Sequence, residues 1–238
     1  MLIPLDKTLK VATLVCPDVF MIDIVGAHSA FALSPNVETH LVWKTLEPFE
    51  ALPNWPMTAT TTLDKCPDVD VLIVGAVGPE VIGDTEVIDF IKEKGKKASA
   101  IIGICGGVLV LGAAGLLEGR RATTNFHIGE SLKEVGAIPV LGGEVVVDGN
   151  LYTAGPAHGS MEAALIALGA LRGEEVGKLA ELNSEYDPHP PFKTGSPELA
   201  GPELTAIAME ITRQTIPFDL SLKLAREGYL KNRPGANV

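Results

Sequence analysis

The amino-acid sequence predicts an α/β fold in which helices cover both faces of a mainly parallel central sheet. Short runs of β-branched and aliphatic residues alternate along the chain with segments of helical periodicity. These runs place apolar residues on both faces, as expected for strands that are buried on both sides. The chain has 238 residues, of which 46% are hydrophobic, so it is long enough to enclose a full core.

The first half of the chain is expected to supply four strands, each followed by a turn or a helix. Apolar runs that end at proline, glycine or cysteine indicate the strands, and apolar residues at helical spacing indicate the helices. The predicted strands are residues 8–16, 39–44, 70–74 and 98–104, and the predicted helices are residues 20–31, 80–95 and 108–117.

The second half is less regular and changes character near residue 186. We expect a helix at 128–135, strand pieces near Val140, at 145–148 and at 152–154, and an apolar helix at 160–171; Asp148-Gly149 favours a hairpin turn. Four prolines in residues 186–197 forbid regular structure, and residues 202–228 then have an amphipathic helical pattern. This predicts one domain at 1–185. Residues 186–238 would form a proline-rich segment and C-terminal helices, packed on the same domain or on a dimer partner.

Composition and charge exclude several classes of partner. The formal net charge of −11 argues against nucleic acid or an anionic membrane, because phosphate binding needs clustered Lys and Arg. No apolar stretch reaches the roughly 20 residues that span a bilayer, and residues 1–10 lack a secretory pattern. Three widely spaced cysteines predict neither disulfides nor a cysteine zinc site, and no two histidines have an i, i+4 metal spacing. We therefore expect a cytoplasmic protein without a metal or cofactor.

Cys105 is the strongest candidate nucleophile. It lies between a predicted buried strand and a helix, in the glycine-bounded apolar run 101–112. A thiol at such a turn faces a helix N-terminus, whose free N–H groups favour the thiolate. Cys16 and Cys66 lie at a strand end and in a turn, and we expect both to be inert.

Three strand ends carry residues that could converge with Cys105, because ligands collect at the carboxyl ends of parallel strands. Asp23 has apolar neighbours on both sides, so its pKa could be raised for acid/base work, although an N-cap role is an equal alternative. The amides of Ala76, Val77 and Gly106 could form an oxyanion hole, and tight turns are the competing explanation. The substrate pocket is predicted to include Phe20, Asn125, Phe126 and His158. His127 and His158 are each more simply explained as loop residues.

Residues 103–124 resemble the cysteine-elbow segment of the ThiJ/PfpI superfamily, in the branch of the isonitrile hydratases. The resemblance extends to segment 22–26 and to segment 136–139 together with 148–155. Segment 185–197 points toward the hydratase branch. The resemblance implies a flavodoxin-like α/β sandwich, a homodimer, no metal, and a cysteine at a strained elbow.

The resemblance also implies a reaction on a small-molecule substrate. The Cys105 thiolate would attack an isonitrile carbon, Asp23 would handle the protons, and hydrolysis of the thioimidate would release an N-substituted formamide. Three features depart from the hydratase pattern: Gly106 replaces a threonine, residues 74–78 replace a Pro-Gly-Gly loop, and Asn125 replaces a histidine.

Two other functions are open: a redox-sensing or stress-protective protein in which Cys105 is oxidised, and a ligand-binding regulator. Against the regulator, the chain has no basic helix-turn-helix segment after residue 200.

Overall fold

A computed structural model describes residues 2–142 and 144–236, so the ends of the predicted units at residues 1 and 238 lie outside it. These two ranges contain eleven strands, which form one large sheet and two small two-stranded sheets. The strands are β1 (Leu9–Leu14), β2 (Val37–Trp43), β3 (Phe49–Ala51), β4 (Trp55–Met57), β5 (Thr61–Thr62), β6 (Val71–Val74), β7 (Ala100–Ile104), β8 (Arg121–Ala122), β9 (Ile138–Pro139), β10 (Val146–Asp148) and β11 (Leu151–Ala154).

The central sheet has seven strands in the order β10-β11-β7-β6-β1-β2-β5. Every neighbouring pair is parallel except β10 and β11, which form the antiparallel hairpin expected at Asp148-Gly149. Strands β6, β7 and β11 are buried along their whole length, because both faces of the sheet are covered. The predicted mainly parallel sheet is therefore confirmed.

Within the described residues, eight helices surround the sheet. They are α1 (Met21–Ala32), α2 (Pro79–Ile82), α3 (Thr85–Lys97), α4 (Gly107–Ala113), α5 (His158–Arg172), α6 (Glu174–Asn183), α7 (Pro197–Thr215) and α8 (Phe218–Asn232); two short 3-10 helices lie at Leu63–Lys65 and Gly129–Val135.

Two separate apolar clusters lie on the two faces of the sheet. Alternate residues of β6 supply them: Val71 and Ile73 join the cluster that contains α1 and α5, and Leu72 and Val74 join the one with α3 and α4. Helix α6 packs on α5, and α8 packs on α4. Helices on both faces were predicted, and the two clusters confirm them.

Several element boundaries differ from the predictions. The predicted helix 80–95 is interrupted: α2 ends before Gly83, and Asp84 caps α3 by accepting from the amides of Glu86 (3.0 Å) and Val87 (3.3 Å). The predicted helix 108–117 stops at Ala113, because Gly115 has a φ of 72°. The predicted helix 128–135 is the second 3-10 helix.

The amphipathic pattern indicated one or two helices in the C-terminal part, and the structure contains two, α7 and α8. Gly201 has non-helical backbone angles (φ 79°, ψ 169°), so α7 is bent near its start. The patterns did not predict the β3–β4 hairpin, β5 or α6. No helix within the described ranges is long and apolar enough to cross a membrane.

Candidate active site

The carboxyl ends of β1, β6 and β7 bring three loops together, because these strands are neighbours and parallel. Two glycines permit the close approach of the loops. A Cβ on Gly75 would lie 2.6 Å from Ile24 Cγ2, and a Cβ on Gly107 would lie 2.2 Å from the carbonyl oxygen of Val74. The predicted convergence of these strand ends is thus found in the structure.

Cys105 occupies a sharp turn between β7 and α4. Its φ of 53° lies in the left-handed region, which a residue with a Cβ rarely adopts. The turn is held from several sides: the Cys105 amide donates to the Ala154 carbonyl (3.0 Å), and its own carbonyl accepts from Val108 N (3.2 Å) and from Thr124 Oγ1. This strained backbone is the elbow that the resemblance implied.

The sulfur of Cys105 has three polar neighbours. Asn125 Nδ2 donates to Sγ over 3.4 Å, the backbone amide of Gly106 also interacts with the sulfur, and the thiol interacts with the Asp23 carboxyl. Burial, reinforced by the charge of Asp23, raises the pKa of Cys105 to about 12, and the two amides only partly oppose this rise. The expected preference for the thiolate is therefore wrong for the resting site. The position of Cys105 at a helix start does not offset the rise in its pKa that burial and the neighbouring Asp23 carboxylate cause.

Asp23 is buried in the first turn of α1, with 1% of its surface exposed. Its two oxygens accept from backbone amides of two other loops, Ala76 N and Ala157 N, both over 3.3 Å. Burial raises the pKa of Asp23, and these two bonds and the Cys105 contact partly offset the rise. Phe20 is the N-cap of α1, so the N-cap interpretation of Asp23 is wrong.

The predicted oxyanion hole is corrected in one member. The amide of Ala76 already donates to Asp23, so it is not free to bind a developing anion. The backbone amide of Gly106 interacts with the sulfur and lowers the pKa of Cys105, and its part in an oxyanion hole stays a prediction. Val77 is buried in the same loop as Ala76, and its part in an oxyanion hole stays a prediction.

The four predicted pocket residues have different environments. Asn125 is buried against the sulfur, and Phe20 is half-buried at the start of α1. Phe126 is 45% exposed and stacks on His127, with 3.9 Å between ring centroids. His158 is exposed at the first position of α5. Only Asn125 among the four has a bond to Cys105 in the described structure, so the pocket roles of the other three stay predictions.

Two groups that the sequence analysis did not single out support the site. The Ala157 amide holds Asp23, and Thr124 holds the Cys105 carbonyl. Ala157 has an unusual backbone conformation (φ 58°, ψ −109°), for which an alanine gives no sequence signal. The pair Thr123-Thr124 did belong to the family-like segment, so Thr124 could have been proposed from that resemblance.

The other two cysteines lie outside this arrangement. Cys16 and Cys66 are both buried, and burial raises the pKa of each thiol, to about 11 for Cys66. Within residues 2–142 and 144–236, no three His, Cys, Asp or Glu side chains are grouped so that they could hold a metal ion.

Comparisons with known proteins identify relatives of this chain. The isonitrile hydratase of Pseudomonas putida is 39% identical over 222 residues, which cover 92% of this chain and 94% of that protein. The crystal structure of a ThiJ/PfpI family protein from Pseudomonas syringae matches with a TM-score of 0.86 at 31% identity, over 92% of this chain and 90% of that chain. Schizosaccharomyces pombe DJ-1, at 19% identity and a TM-score of 0.64 over 76% of this chain and 100% of that chain, shows the fold alone.

These matches confirm the flavodoxin-like sandwich that the sequence resemblance implied. The sequence pattern of the DJ-1/PfpI family matches residues 9–168, which include Asp23, the Gly75–Gly78 loop and the Cys105 elbow. The chain belongs to the DJ-1/PfpI family.

Proposed function

We propose that this protein is a cysteine-dependent hydro-lyase that adds water to a small uncharged electrophile, with an isonitrile as substrate and an N-substituted formamide as product. The observation that carries the proposal is the convergence, at the same strand ends, of the strained Cys105 elbow and the buried Asp23 carboxyl, which accepts from Ala76 N and Ala157 N. The 39% identity to an isonitrile hydratase, extending over 92% of the chain, supports this reaction class.

In the first half of the reaction, the Cys105 sulfur bonds to the isonitrile carbon. The thiol proton passes to the Asp23 carboxylate as the sulfur attacks, so a free thiolate need not accumulate at neutral pH. Asp23 then gives this proton to the former isonitrile carbon, and the product is a neutral thioimidate, R–N=CH–S–Cys105. The raised pKa of Asp23 suits a group that takes up and returns a proton.

In the second half, water adds to the thioimidate carbon, with Asp23 accepting a proton from the water. Asp23 passes this proton to the nitrogen, the carbon–sulfur bond breaks, and its electron pair returns to sulfur. The proton of the new hydroxyl group then moves through Asp23 to the sulfur, and R–NH–CHO leaves. The sum is one isonitrile plus one water, so the enzyme returns to its starting state without a cofactor.

The electrostatics of the site favour an uncharged substrate. Asp23 is already a buried acidic group, and a second negative charge beside it would be costly to desolvate. The net charge of −11 also opposes the approach of small anions. An isonitrile carries no net charge, and its terminal carbon is a good match for a soft sulfur nucleophile.

Oxidation of Cys105, as in a redox sensor, has weaker support. Peroxides react with the thiolate, and sensor cysteines are exposed groups with a low pKa. Here burial raises the pKa of Cys105 to about 12. Mild peroxide treatment followed by mass spectrometry separates the two functions, because selective sulfinic acid at Cys105 without isonitrile turnover would favour the sensor.

The direct test measures formamide production from cyclohexyl isonitrile by the wild type and three variants. We expect Cys105→Ala and Asp23→Asn to lose at least about a hundredfold in kcat/KM, in the range typical of general acid–base groups. Cys66→Ala, which removes a buried thiol elsewhere, should retain activity. If Cys105→Ala turns the isonitrile over at the wild-type rate, the proposed function is wrong.

We further propose a cytoplasmic homodimer, in which residues 186–238 pack on their own domain or on the partner. Helix α7 supports this organisation: none of its residues is buried, and Leu204, Ile207 and Ile211 form an exposed apolar row. The three free thiols fit a reducing compartment. Light scattering in solution should give twice the chain mass of 25.0 kDa, and a monomer would contradict the dimer.

A further inference from the structure

The orientation of the Asn125 side-chain amide is determined by its two hydrogen bonds. Its oxygen, Oδ1, accepts from the backbone N–H of His127 over 3.1 Å, and this leaves its NH₂ group to donate to the Cys105 sulfur over 3.4 Å. An N–H group cannot donate to the NH₂ end of an amide, so the reversed orientation would lose the first bond. Asn125 therefore presents a donor to the sulfur.

The fold holds this donor rigidly in place. Asn125 is only 4% exposed, and its carbonyl accepts from Ile128 N (3.3 Å), which closes a turn after the buried residue Thr124. Thr124 in turn donates to the carbonyl of Cys105. The segment that carries the amide and the elbow that carries the sulfur are thus bonded to one another directly. Residue 106 is glycine and offers no side-chain donor of its own.

We propose that Asn125 is a catalytic residue that stabilises negative charge on the Cys105 sulfur while its proton is on Asp23. In this step Asp23–COO⁻ and Cys105–SH become Asp23–COOH and Cys105–S⁻, so the negative charge moves from oxygen to sulfur. A donor that faces the sulfur gains strength as this charge develops, because hydrogen bonds to ionised acceptors are about twice as strong as neutral ones. The interaction is therefore worth more during attack than at rest.

The proposal rests on the proposed function only in naming Cys105 as the nucleophile. The charge transfer to sulfur can be followed with iodoacetamide, which reacts with the thiolate and needs no isonitrile. The rate of Cys105 alkylation is measured between pH 6 and pH 11 by peptide mass spectrometry, which distinguishes Cys105 from Cys16 and Cys66.

Asn125→Asp is the informative variant. The aspartate keeps the size of the side chain and can still accept from His127 N, but it removes the donor and puts a carboxylate beside the sulfur. We expect the alkylation profile to move to higher pH by at least one unit, which lowers the rate at pH 8 about tenfold. Asn125→Ala, which removes the donor without adding charge, should move the profile in the same direction by less.

Asn150→Asp is the matched control. Asn150 is likewise an asparagine whose side chain makes two hydrogen bonds, to the Ala98 carbonyl and from Arg120, but it is only partly buried and immediately precedes β11, away from Cys105. The pH profile of Cys105 alkylation in Asn150→Asp should coincide with that of the wild type. If folded Asn125→Asp and Asn125→Ala both keep the wild-type profile, Asn125 does not stabilise the sulfur charge. Failure of the wild type to hydrate isonitriles would instead overturn the proposed function and leave this measurement valid.

Discussion

Replacing Gly107 with alanine tests whether the site depends on close contact between the elbow helix and the strand beside it. Gly107 is the first residue of α4, two positions after Cys105. A Cβ at this position would lie 2.2 Å from the carbonyl oxygen of Val74 and 2.6 Å from that of Gly75. Carbon–oxygen contacts normally lie near 3.3 Å or beyond, so helix and strand end would have to separate by roughly 1 Å.

Two effects of this substitution oppose one another. Alanine is a better helix former than glycine by about 1 kcal/mol, so the local propensity of α4 predicts a stabilised protein. Overpacking a filled site costs typically about 1–3 kcal/mol, and the high end applies here because the obstructing atoms belong to the backbone. We therefore expect Gly107→Ala to lower the free energy of unfolding by about 2 kcal/mol.

Urea denaturation monitored by circular dichroism measures this change, and Cys105 alkylation in the folded variant reports on the site. Gly155→Ala is the control, because the nearest heavy atom to its Cβ is 4.0 Å away, and we expect a change within about 0.5 kcal/mol. If Gly107→Ala is as stable as Gly155→Ala and its Cys105 thiol reacts at the wild-type rate, the site does not depend on close packing of Gly107 against the end of β6.

Three other predictions concern stability. Because burial raises the pKa of Asp23, this carboxyl binds a proton more tightly in the folded protein than in the unfolded chain. The free energy of unfolding should therefore fall as pH rises above about 4, by up to about 1.4 kcal/mol per pH unit. Urea titrations of the wild type and Asp23→Asn from pH 4 to pH 8 should show the wild type losing stability relative to the variant, and a constant difference would contradict this. Arg172 donates to the carbonyls of Lys7 and Asn36, both over 2.9 Å. Arg172→Lys should lower the free energy of unfolding by about 1–3 kcal/mol, because one ammonium group cannot replace both donors of the guanidinium. An unchanged urea midpoint would contradict this role. Gly75→Ala, whose Cβ would lie 2.6 Å from the Cγ2 methyl of Ile24 and 3.1 Å from Asp23 Cβ, should cost less than Gly107→Ala, because side-chain atoms and not carbonyl oxygens obstruct it. The reverse order in the same assay would show that these side chains do not relieve the contact.

The sheet could be predicted because its central strands β6 and β7 are apolar along their whole length. Strands such as β6 and β7 need no register information to be recognised, since every residue in them is buried. Their parallel order also explains why the loops at Asp23, Gly75 and Cys105 could be expected at one edge. Helix ends were harder to predict, because glycines such as Gly83 either end a helix or continue it, and only packing decides which.

The electrostatic state of the site could not be predicted from the sequence. A helix start after Cys105 suggested a thiolate, whereas the opposing influences of burial and Asp23 depend on contacts between distant segments. The same holds for the Ala157 amide, which reaches Asp23 across 134 positions of sequence. Asn125 was identified as a pocket residue, but its role as a donor depends on a turn that no pattern indicated.

The most direct test of the account is rapid-quench mass spectrometry of the wild type mixed with cyclohexyl isonitrile. We expect a transient adduct on the Cys105 peptide that adds the full mass of the isonitrile, because the thiol adds to the carbon without a leaving group. The adduct should rise and decay at rates that support formamide release, and it should be absent in Cys105→Ala. Formamide release by the wild type with no adduct on Cys105, or with an adduct on another residue, would contradict the claim that this thiol is the nucleophile.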